Sequence, residues 1–271
     1  MNLISITWTA RPEIYETGSF AVRWYGVLFA LGFVCGYFII LSFLKKEKMD
    51  VKLLDQLTTY MVIATVIGAR LGHCLFYEPG YYLSNPLEIL MIWKGGLASH
   101  GAAVGIIVAL LIFAKRNKVS FLWTIDRIAV VTALAGFFIR MGNLMNSEIF
   151  GKPTTLPWGF IYKNASDAAQ REQPRHPTQI YEGLCYLIIF TVLMLVYRKN
   201  NGKPREGLLI SLFLILVFAT RFFIEFFKEP QVGFEETMAL NMGQWLSIPF
   251  ILLGIAGLVW IYRKRNMVTG K

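Results

Sequence analysis

The chain has 271 residues, of which 55% are hydrophobic, 15% aromatic and only 16% charged, and its mean hydropathy is +0.51. Soluble domains carry about a quarter charged residues, so this composition excludes an ordinary soluble protein and indicates one solvated by lipid. The net charge is +10, and because many of the cations follow apolar runs, it indicates membrane orientation and no nucleic-acid partner.

Seven apolar stretches are long enough to cross about 30 Å of hydrocarbon, which takes about 20 helical residues. Lipid cannot satisfy exposed backbone amides, so these stretches must be helices. We therefore predict an all-α polytopic membrane protein that forms a single membrane domain over residues 1–271. The predicted spans are residues 19–44, 56–77, 95–114, 121–139, 179–198, 207–227 and 241–262.

Before the first span, residues 1–18 lack the basic start and apolar core of a cleavable signal peptide, so we expect the first span to act as its own insertion signal. Lysine and arginine are concentrated in alternate connections beyond it. The connections after the first, third, fifth and seventh spans contain Lys45, Lys46, Lys48, Lys115, Arg116, Lys118, Arg198, Lys199, Lys203, Arg205, Arg263, Lys264 and Arg265. Residues 78–93 contain no lysine or arginine, and residues 228–240 contain three glutamates against one lysine. The positive-inside rule then predicts an outer N-terminus and a cytoplasmic C-terminus.

The connection over residues 140–178 is far longer than the rest and is predicted to lie outside. Connections longer than about 15 residues are usually functional or disordered. This one mixes Gly, Pro, Trp and Tyr with its charges, so we predict a small folded cap on the extracytoplasmic face. The chain has no internal repeat, which argues against a transporter built from inverted repeats.

Charged side chains inside membrane spans have a high free-energy cost in lipid, so their presence indicates a functional role. In the predicted topology these residues gather toward the outer side, whereas a channel or transporter would place them at mid-depth or in both halves. The set comprises Arg23, Arg70, His73, His100, Arg140, Arg221 and Glu225. Cys35, Cys74 and Cys185 lie in apolar segments without a Cys-x-x-Cys pair, so we predict neither a disulfide nor a metal site.

Two segments place polar side chains among small residues. His100 follows the run of small residues at 95–99, and it is either a general base or a core histidine bonded to a neighbouring helix. Arg140 and Asn143 share a helix face if the fourth span continues, and arginine can hold a phosphate through two parallel bonds. Asn143 and Asn146 could bond to glycerol hydroxyls or ester carbonyls. The alternative for Arg140 is a helix end that snorkels to the interface.

Weaker signals lie at four other helix ends. Arg221 and Glu225 are four residues apart, so they either neutralise each other or orient Arg221 toward an anion. Residues 23–26, with Tyr25, are typical of an interfacial aromatic belt. Residues 175–182, with His176, are typical of a proline-led helix start. Residues 68–72 have the glycine spacing of close helix packing. Phosphate-loop, zinc-protease and serine-hydrolase motifs are absent from the sequence.

Taken in order, these segments resemble the prolipoprotein diacylglyceryl transferase family along nearly the whole chain. The segments that carry the resemblance are Arg-Trp-Tyr-Gly at 23–26, Gly-Ala-Arg-Leu-Gly-His at 68–73, Gly-Gly-Leu-Ala-Ser-His-Gly at 95–101, Arg-Met-Gly-Asn-Leu-Met-Asn-Ser-Glu at 140–148, Arg-His-Pro-Thr-Gln-Ile-Tyr-Glu at 175–182, Arg-Phe-Phe-Ile-Glu-Phe-Phe at 221–227 and Met-Gly-Gln-Trp-Leu-Ser at 242–247. The resemblance implies transfer of diacylglyceryl from phosphatidylglycerol to the lipobox cysteine of a preprolipoprotein signal peptide, in the bacterial inner membrane with the active site toward the periplasm.

By this similarity, the catalytic residues are His100, Arg140 and Arg221. The residues expected to bind substrate are Tyr25, Arg70, Asn143, Asn146, Glu148, Glu225 and His176. The chain departs from the family pattern at Ile139, Leu144 and Val217, where the family has Gly, Phe and often Tyr. The role of that tyrosine hydroxyl therefore cannot be carried over.

The implied reaction displaces a phosphate ester from a glycerol carbon by sulfur. A free thiol has a pKa of about 8.5 and is mostly protonated at neutral pH. Either His100 removes the proton, or an arginine environment lowers the thiol pKa while His100 positions substrate. Arg140 and Arg221 would stabilise the departing phosphate. No metal or soluble cofactor is needed, and membrane lipids surround the enzyme. The competing functions are another polytopic lipid-headgroup transferase and a lipid transporter.

Overall fold

The computed structural model describes residues 5–18, 20–229 and 238–269, and within them seven helices are long and apolar enough to cross a membrane. This confirms the predicted seven-span, predominantly helical fold class. The seven are α1 (Trp24–Glu47), α2 (Lys52–Phe76), α4 (Ser99–Asn117), α5 (Phe121–Met145), α6 (Thr178–Lys199), α7 (Leu208–Ile224) and α8 (Met242–Thr269). A short helix, α3 (Pro79–Ser84), lies between α2 and α4.

Three helix boundaries differ from the prediction at the ends where polar residues cluster. Helix α1 begins at Trp24, because the residues before it form a strand. Helix α4 begins at Ser99, because Gly95 and Gly96 have positive φ angles of 86° and 71° that an α-helix cannot accommodate. Helix α5 continues to Met145, six residues past its predicted end, so it includes the polar residues that begin at Arg140.

Four short strands were not predicted. β2 (Glu13–Thr17) and β3 (Phe20–Arg23) form an antiparallel pair, and β1 (Ile6–Trp8) pairs in parallel with β4 (Phe160–Tyr162). In the second pair, Ile6 lies opposite Phe160 and Trp8 opposite Tyr162. Strands of three to five residues are too short for alternation to stand out against an apolar background.

The chain divides into two compact units, which are described separately. The first comprises residues 1–39 and 126–271, and the second comprises residues 40–125. In the first unit, the connection after α5 folds onto strand β1. Leu144, Phe160, Tyr162 and Ala165 form a buried cluster there, and Trp8 packs against it. The Trp8 indole N–H also donates to the Leu144 carbonyl at 3.0 Å. The connection is therefore folded and shares a small hydrophobic core with α5 and β1; we call this folded connection the cap.

The start of α7 in the first unit is capped by a side chain from α5. Asp126 is fully buried, and its carboxylate accepts hydrogen bonds from the backbone N–H groups of Gly207 at 2.9 Å and Ile210 at 2.8 Å. These N–H groups would otherwise be unpaired at a helix N-terminus. Asp126 therefore joins α5 to α7 at the end of the helices opposite the cap.

Glycines bring α2 and α4 together in the second unit. A Cβ atom added to Gly68 would lie 2.6 Å from the Gly101 carbonyl oxygen, and one added to Gly72 would lie 2.6 Å from the Gly101 Cα. A Cβ added to Gly105 would lie 2.7 Å from the Ala64 carbonyl oxygen. The close packing predicted from the glycine spacing of residues 68–72 is therefore confirmed, and it fixes the helix that carries His100.

Candidate functional site

The predicted site residues divide between the two units. Arg70 and His100 belong to the second unit. Tyr25, Arg140, Asn143, Asn146, Glu148, His176, Arg221 and Glu225 belong to the first.

In the first unit, a chain of hydrogen bonds runs from Arg140 to Glu148. Because α5 continues past Arg140, the guanidinium donates to the Asn143 side-chain carbonyl one turn later, at 3.0 Å. The Asn143 amide then donates to a Glu148 carboxylate oxygen at 2.8 Å, and the Asn146 amide donates to the same oxygen at 3.2 Å. Two asparagines and one glutamate therefore form a single polar group at the end of α5.

The backbone around Glu148 explains how its carboxylate turns back toward the helix. Ser147 and Ile149, on either side of it, have positive φ angles of 52° and 57°, a region that L-residues adopt rarely and at some cost. The Glu148 N–H also donates to the Asn143 carbonyl at 3.1 Å. This strained turn positions the carboxylate beside both asparagines.

Arg140 has a second partner, which the sequence analysis did not assign. Its Nε forms an ion pair with Glu182 on α6, and Glu182 is fully buried. The other Glu182 oxygen lies 2.5 Å from the Lys228 ammonium, which in turn lies 3.4 Å from a Glu225 oxygen. Four ionised side chains from α5, α6 and the end of α7 therefore form one buried network.

The signals that could have identified Glu182 and Lys228 were present in the sequence. Glu182 is an acid inside the predicted fifth span, where charge is expensive. Lys228 follows Glu225 at a spacing of three residues, which puts them on one helix face. Glu182 lies near the start of the predicted fifth span, and Lys228 lies in the connection that follows the predicted sixth span.

Arg221 and Glu225 form no ion pair, so the predicted neutralisation of one by the other is wrong. The Glu225 carboxylate binds Lys228 instead, because the chain enters a 3₁₀ turn at Glu225–Phe227. The Arg221 Nε is buried and has no hydrogen-bond partner in the part of the chain that the structure describes. Tyr186 lies in the electrostatic field of both Arg140 and Arg221. The first unit therefore holds two arginines that influence one buried tyrosine, and Arg221 forms no ion pair with a described acid.

Two glycines make room for site residues at these helix ends. A Cβ added to Gly142 would lie 2.7 Å from the Tyr25 ring, so Tyr25 of α1 packs directly on α5. A Cβ added to Gly243 would lie 2.6 Å from the Glu225 carboxyl carbon. The first turns of α1 and α8 can approach the polar network because these positions lack side chains.

His176 lies at the junction of the cap and α6. Its Nδ1 is 3.2 Å from the Tyr181 hydroxyl, and its ring packs edge-on against Phe227 at 5.3 Å. Burial lowers the pKa of His176 below its ordinary value. The neighbouring Arg175 pairs with Glu229 at 2.6 Å and lies over the Phe150 ring, so the cations of this segment hold the cap together.

In the second unit, the Arg70 side chain binds backbone carbonyl groups. Its guanidinium donates four hydrogen bonds, at 2.6 to 3.2 Å, to the carbonyls of Glu88, Ile89, Gly95 and Gly96. The side chain is 3% exposed, so most of its donors are occupied in holding the segment that leads into α4.

His100 is the second residue of α4 and is exposed. Its ring lies edge-on to Phe76 at 5.5 Å and tilted against Tyr77 at 5.7 Å. His73 packs against Gly96 and stacks on Tyr77 at 5.5 Å. His100 is therefore positioned by aromatic contacts from the end of α2. Among the residues that the structure describes, no group of three or more His, Cys, Asp or Glu could hold a metal ion.

Comparison with known proteins gives consistent matches along the chain. A family described as "Prolipoprotein diacylglyceryl transferase" matches residues 12–260. A phosphatidylglycerol–prolipoprotein diacylglyceryl transferase of Tolumonas auensis is 47% identical over 92% of this chain and 94% of its own length. Proteins of the same name from Bacteroides fragilis and Porphyromonas gingivalis are 41% and 46% identical, each over 98% of this chain and 98% and 97% of their own lengths.

Proposed function

The chain belongs to the prolipoprotein diacylglyceryl transferase family, and on that premise we propose how its buried cations carry the reaction. It is a multi-pass membrane enzyme that transfers the diacylglyceryl moiety of phosphatidylglycerol to a prolipoprotein, the first step of lipoprotein lipidation. The acceptor in our proposal is the thiol of the lipobox cysteine, presented by the signal-peptide helix of the precursor.

In the proposed step, the cysteine sulfur forms a bond to the terminal glycerol carbon of the diacylglyceryl group. The bond from that carbon to the phosphate oxygen breaks, and the oxygen keeps the electron pair. The thiol proton passes to the base, for which His100 is proposed, or to solvent if an arginine environment lowers the thiol pKa, and the headgroup departs as glycerol phosphate. The barrier falls if fixed cations stabilise the charge that develops on the phosphate oxygens.

The observation that carries this proposal is that Arg221 forms no ion pair with a described acid. Its Nε is buried without a partner among the described residues, whereas the second arginine, Arg140, is held in place by Asn143 and Glu182. A phosphate that approached both guanidinium groups would supply the missing acceptors and form charge-assisted bonds. Arg140 is thus the preorganised cation and Arg221 the one that is open to substrate.

Tyr25, Asn143, Asn146, Glu148, Glu225 and His176 are proposed to bind substrate or to shape its site. His100 is proposed as the base, with the arginine environment as the alternative. For Arg70 we propose a positioning role toward the segment before α4, because its donors already bind carbonyls.

We also propose that the enzyme lies in the bacterial inner membrane as a single membrane domain, with its active site toward the periplasm. Support comes from the alternation of basic and acidic connections along the sequence. The cap formed by residues 140–178 would then lie on the periplasmic face.

The decisive experiment uses purified protein in detergent with phosphatidylglycerol and a lipobox peptide. Mass spectrometry should show a diacylglyceryl increment on the cysteine peptide and none on a Cys→Ser peptide. We expect Arg140→Ala and Arg221→Ala to lower transfer by at least about a hundredfold, as for other preorganised donors, while the folded protein persists. The matched control is Arg198→Ala, which removes an exposed arginine at the far end of α6.

Three outcomes are informative. Full activity in either site variant would refute the phosphate-binding role. If wild type transfers a diacylglyceryl group to a lipid or polyol but not to the peptide, a different lipid-headgroup transferase is indicated. If wild type binds lipid without any transfer, a lipid transporter is indicated.

A further inference from the structure

The ends of the helices opposite the cap hold a second group of buried polar side chains, which the proposed reaction does not use. Asp126 and Arg127 are neighbours on α5, and both are buried. Arg127 lies over the Tyr197 ring of α6, 6.0 Å from its centroid, and Asp126 accepts two hydrogen bonds from the backbone at the start of α7. Consecutive residues of α5 therefore hold both α6 and α7 at this end.

The first turn of α7 takes its N-terminal hydrogen bonds from another helix. A helix usually receives them from a Ser, Thr, Asp or Asn side chain at its own N-cap position. The N-cap of α7 is Gly207, whose φ of 89° favours glycine and which has no side chain to offer. One oxygen of Asp126 accepts from the Gly207 N–H instead, and the other accepts from the Ile210 N–H. The start of α7 is thus fixed to α5.

Helix α8 packs directly on this same turn of α7. A Cβ atom added to Gly254 of α8 would lie 2.7 Å from the Ser211 carbonyl oxygen, and the Ser211 hydroxyl donates to the Gly207 carbonyl at 2.6 Å. Because so little space separates the two backbones, α7 cannot slide without moving α8. The hydrogen bonds to Asp126 therefore hold this pair of helices, and not α7 alone, at one height along α5.

The two site arginines lie at the far ends of the helices that Asp126 joins. Arg140 follows Asp126 by 14 residues on α5, and Arg221 follows Ile210 by 11 residues on α7, which correspond to about 21 Å and about 17 Å of helix. Arg221 forms no ion pair with a described acid, so its position depends on that of its helix. A shift of α7 along α5 would move Arg221 by a similar distance, and a misplacement of about 1 Å can lower a rate about a hundredfold.

We propose that Asp126 is a positioning residue for the transfer reaction, because it fixes the height of α7 along α5 and thereby the place of Arg221 relative to Arg140. The inference rests on the proposed function, in which a phosphate binds to both guanidinium groups. It gives a buried acid about 20 Å from the site an effect on the rate that passes through Arg221. A role in stability alone would act equally whether or not Arg221 is present.

The test is a double-mutant cycle in the lipobox-peptide assay with purified, folded protein. In the wild-type background we expect Asp126→Ala to lower kcat/KM about 10- to 100-fold, because Arg221 is misplaced. In the Arg221→Ala background the same substitution should lower it by less than about twofold, since no guanidinium remains to be misplaced. The matched control is Thr124→Val, which removes a buried hydroxyl of α5 that donates to the Ser120 carbonyl and should keep wild-type activity.

A second variant and a distance measurement make the test independent of one substitution and of activity. Asp126→Asn keeps one acceptor oxygen in case Asp126→Ala does not fold, and it should lower kcat/KM about 3- to 10-fold. In a cysteine-free background, spin labels at Leu184→Cys and Phe223→Cys would occupy exposed positions on α6 and α7. Electron paramagnetic resonance should show their separation changed by at least about 1 Å in the Asp126 variants and unchanged in Thr124→Val.

Two sets of outcomes separate the inference from the function on which it rests. Equal losses in both backgrounds, wild-type activity of the Asp126 variants or an unchanged label separation would each overturn the inference and leave the transferase function intact. Absence of transfer by wild type, or full activity of Arg221→Ala, would instead refute the proposed function, and the inference with it.

Discussion

Glu182 is the residue on which the buried network depends, since among the described residues it alone forms ion pairs with both Arg140 and Lys228. It is fully buried on α6 and has one carboxylate oxygen for each cation. Replacing hydrophobic residues by such a pair gives little stability, but removing one partner leaves an uncompensated buried charge. Its role is therefore to stabilise the buried charges of Arg140 and Lys228 at a position where the substrate can bind.

We predict that Glu182→Gln lowers the free energy of unfolding by about 3–5 kcal/mol and also lowers transfer activity, because Arg140 and Lys228 lose their shared counter-charge. The measurement is the thermal midpoint in detergent, with kcat determined below it. Glu172→Gln makes the same change at an exposed cap residue and should leave both quantities near wild type. An unchanged midpoint for Glu182→Gln would show that the network contributes nothing to stability.

The second prediction at this scale concerns the charge of His176. Because burial lowers its pKa in the folded state, the neutral ring is favoured there, and its contribution to stability is present above the unfolded pKa of about 6.5. That contribution is lost as pH falls through the lower, folded pKa. NMR titration of histidine-labelled protein should show a His176 midpoint below 6.5.

The chain has three histidines, so His176→Gln identifies the signal by its disappearance. A midpoint above 6.5 would indicate that an acid, and not burial, dominates the surroundings of this ring.

At the scale of the elements, the glycines of α2 and α4 determine how closely these two helices pack. Their glycines bring the two backbones into contact, with Gly72 opposite Gly101. We predict that Gly72→Ala destabilises the protein by about 1–3 kcal/mol, the usual cost of overpacking, because the new methyl group would meet backbone that cannot yield. Thermal unfolding in detergent measures the change.

The comparison variant is Gly26→Ala, where a Cβ meets nothing within 4 Å in another helix. There the gain in helix propensity should leave stability within about 1 kcal/mol of wild type. Equal destabilisation by both variants would mean that the glycines matter for reasons other than close packing.

The long helices were predictable because few backbone structures other than helices can cross lipid. Their long apolar runs are also strong signals. The cap was predictable only as a folded segment, since the pairing of β1 with β4 depends on contacts between distant residues. Arg140 and Asn143 could be placed on one face from their spacing, and so could Glu225 and Lys228, which are also three residues apart. Glu182 could have been found, as an acid inside a predicted span.

At the scale of the whole molecule, the lysines and arginines behind the net charge of +10 are concentrated in alternate connections between the spans. Cations follow alternate spans, and this arrangement predicts an outer cap and cytoplasmic basic loops. In a cysteine-free background, Lys163→Cys in the cap should react with an impermeant thiol reagent in intact cells. Lys199→Cys, at the C-terminal end of α6, should react only after the membrane is permeabilised. The reverse pattern would invert the proposed topology.

The pairing of β1 with β4 also determines when the first strand can pair during biosynthesis, because the two strands are far apart in the sequence. Asn164, just after β4, bonds to the carbonyl of Thr9, 155 residues earlier in the chain. A ribosome adds about 5–20 residues per second, so the first strand waits roughly 8–30 s for its partner after it has emerged. During that interval four spans are inserted, and the segments that supply Glu182 and Lys228 do not yet exist. The nascent enzyme therefore holds its first strand unpaired during that interval, and Arg140 remains without its partner Glu182 until α6 is synthesised.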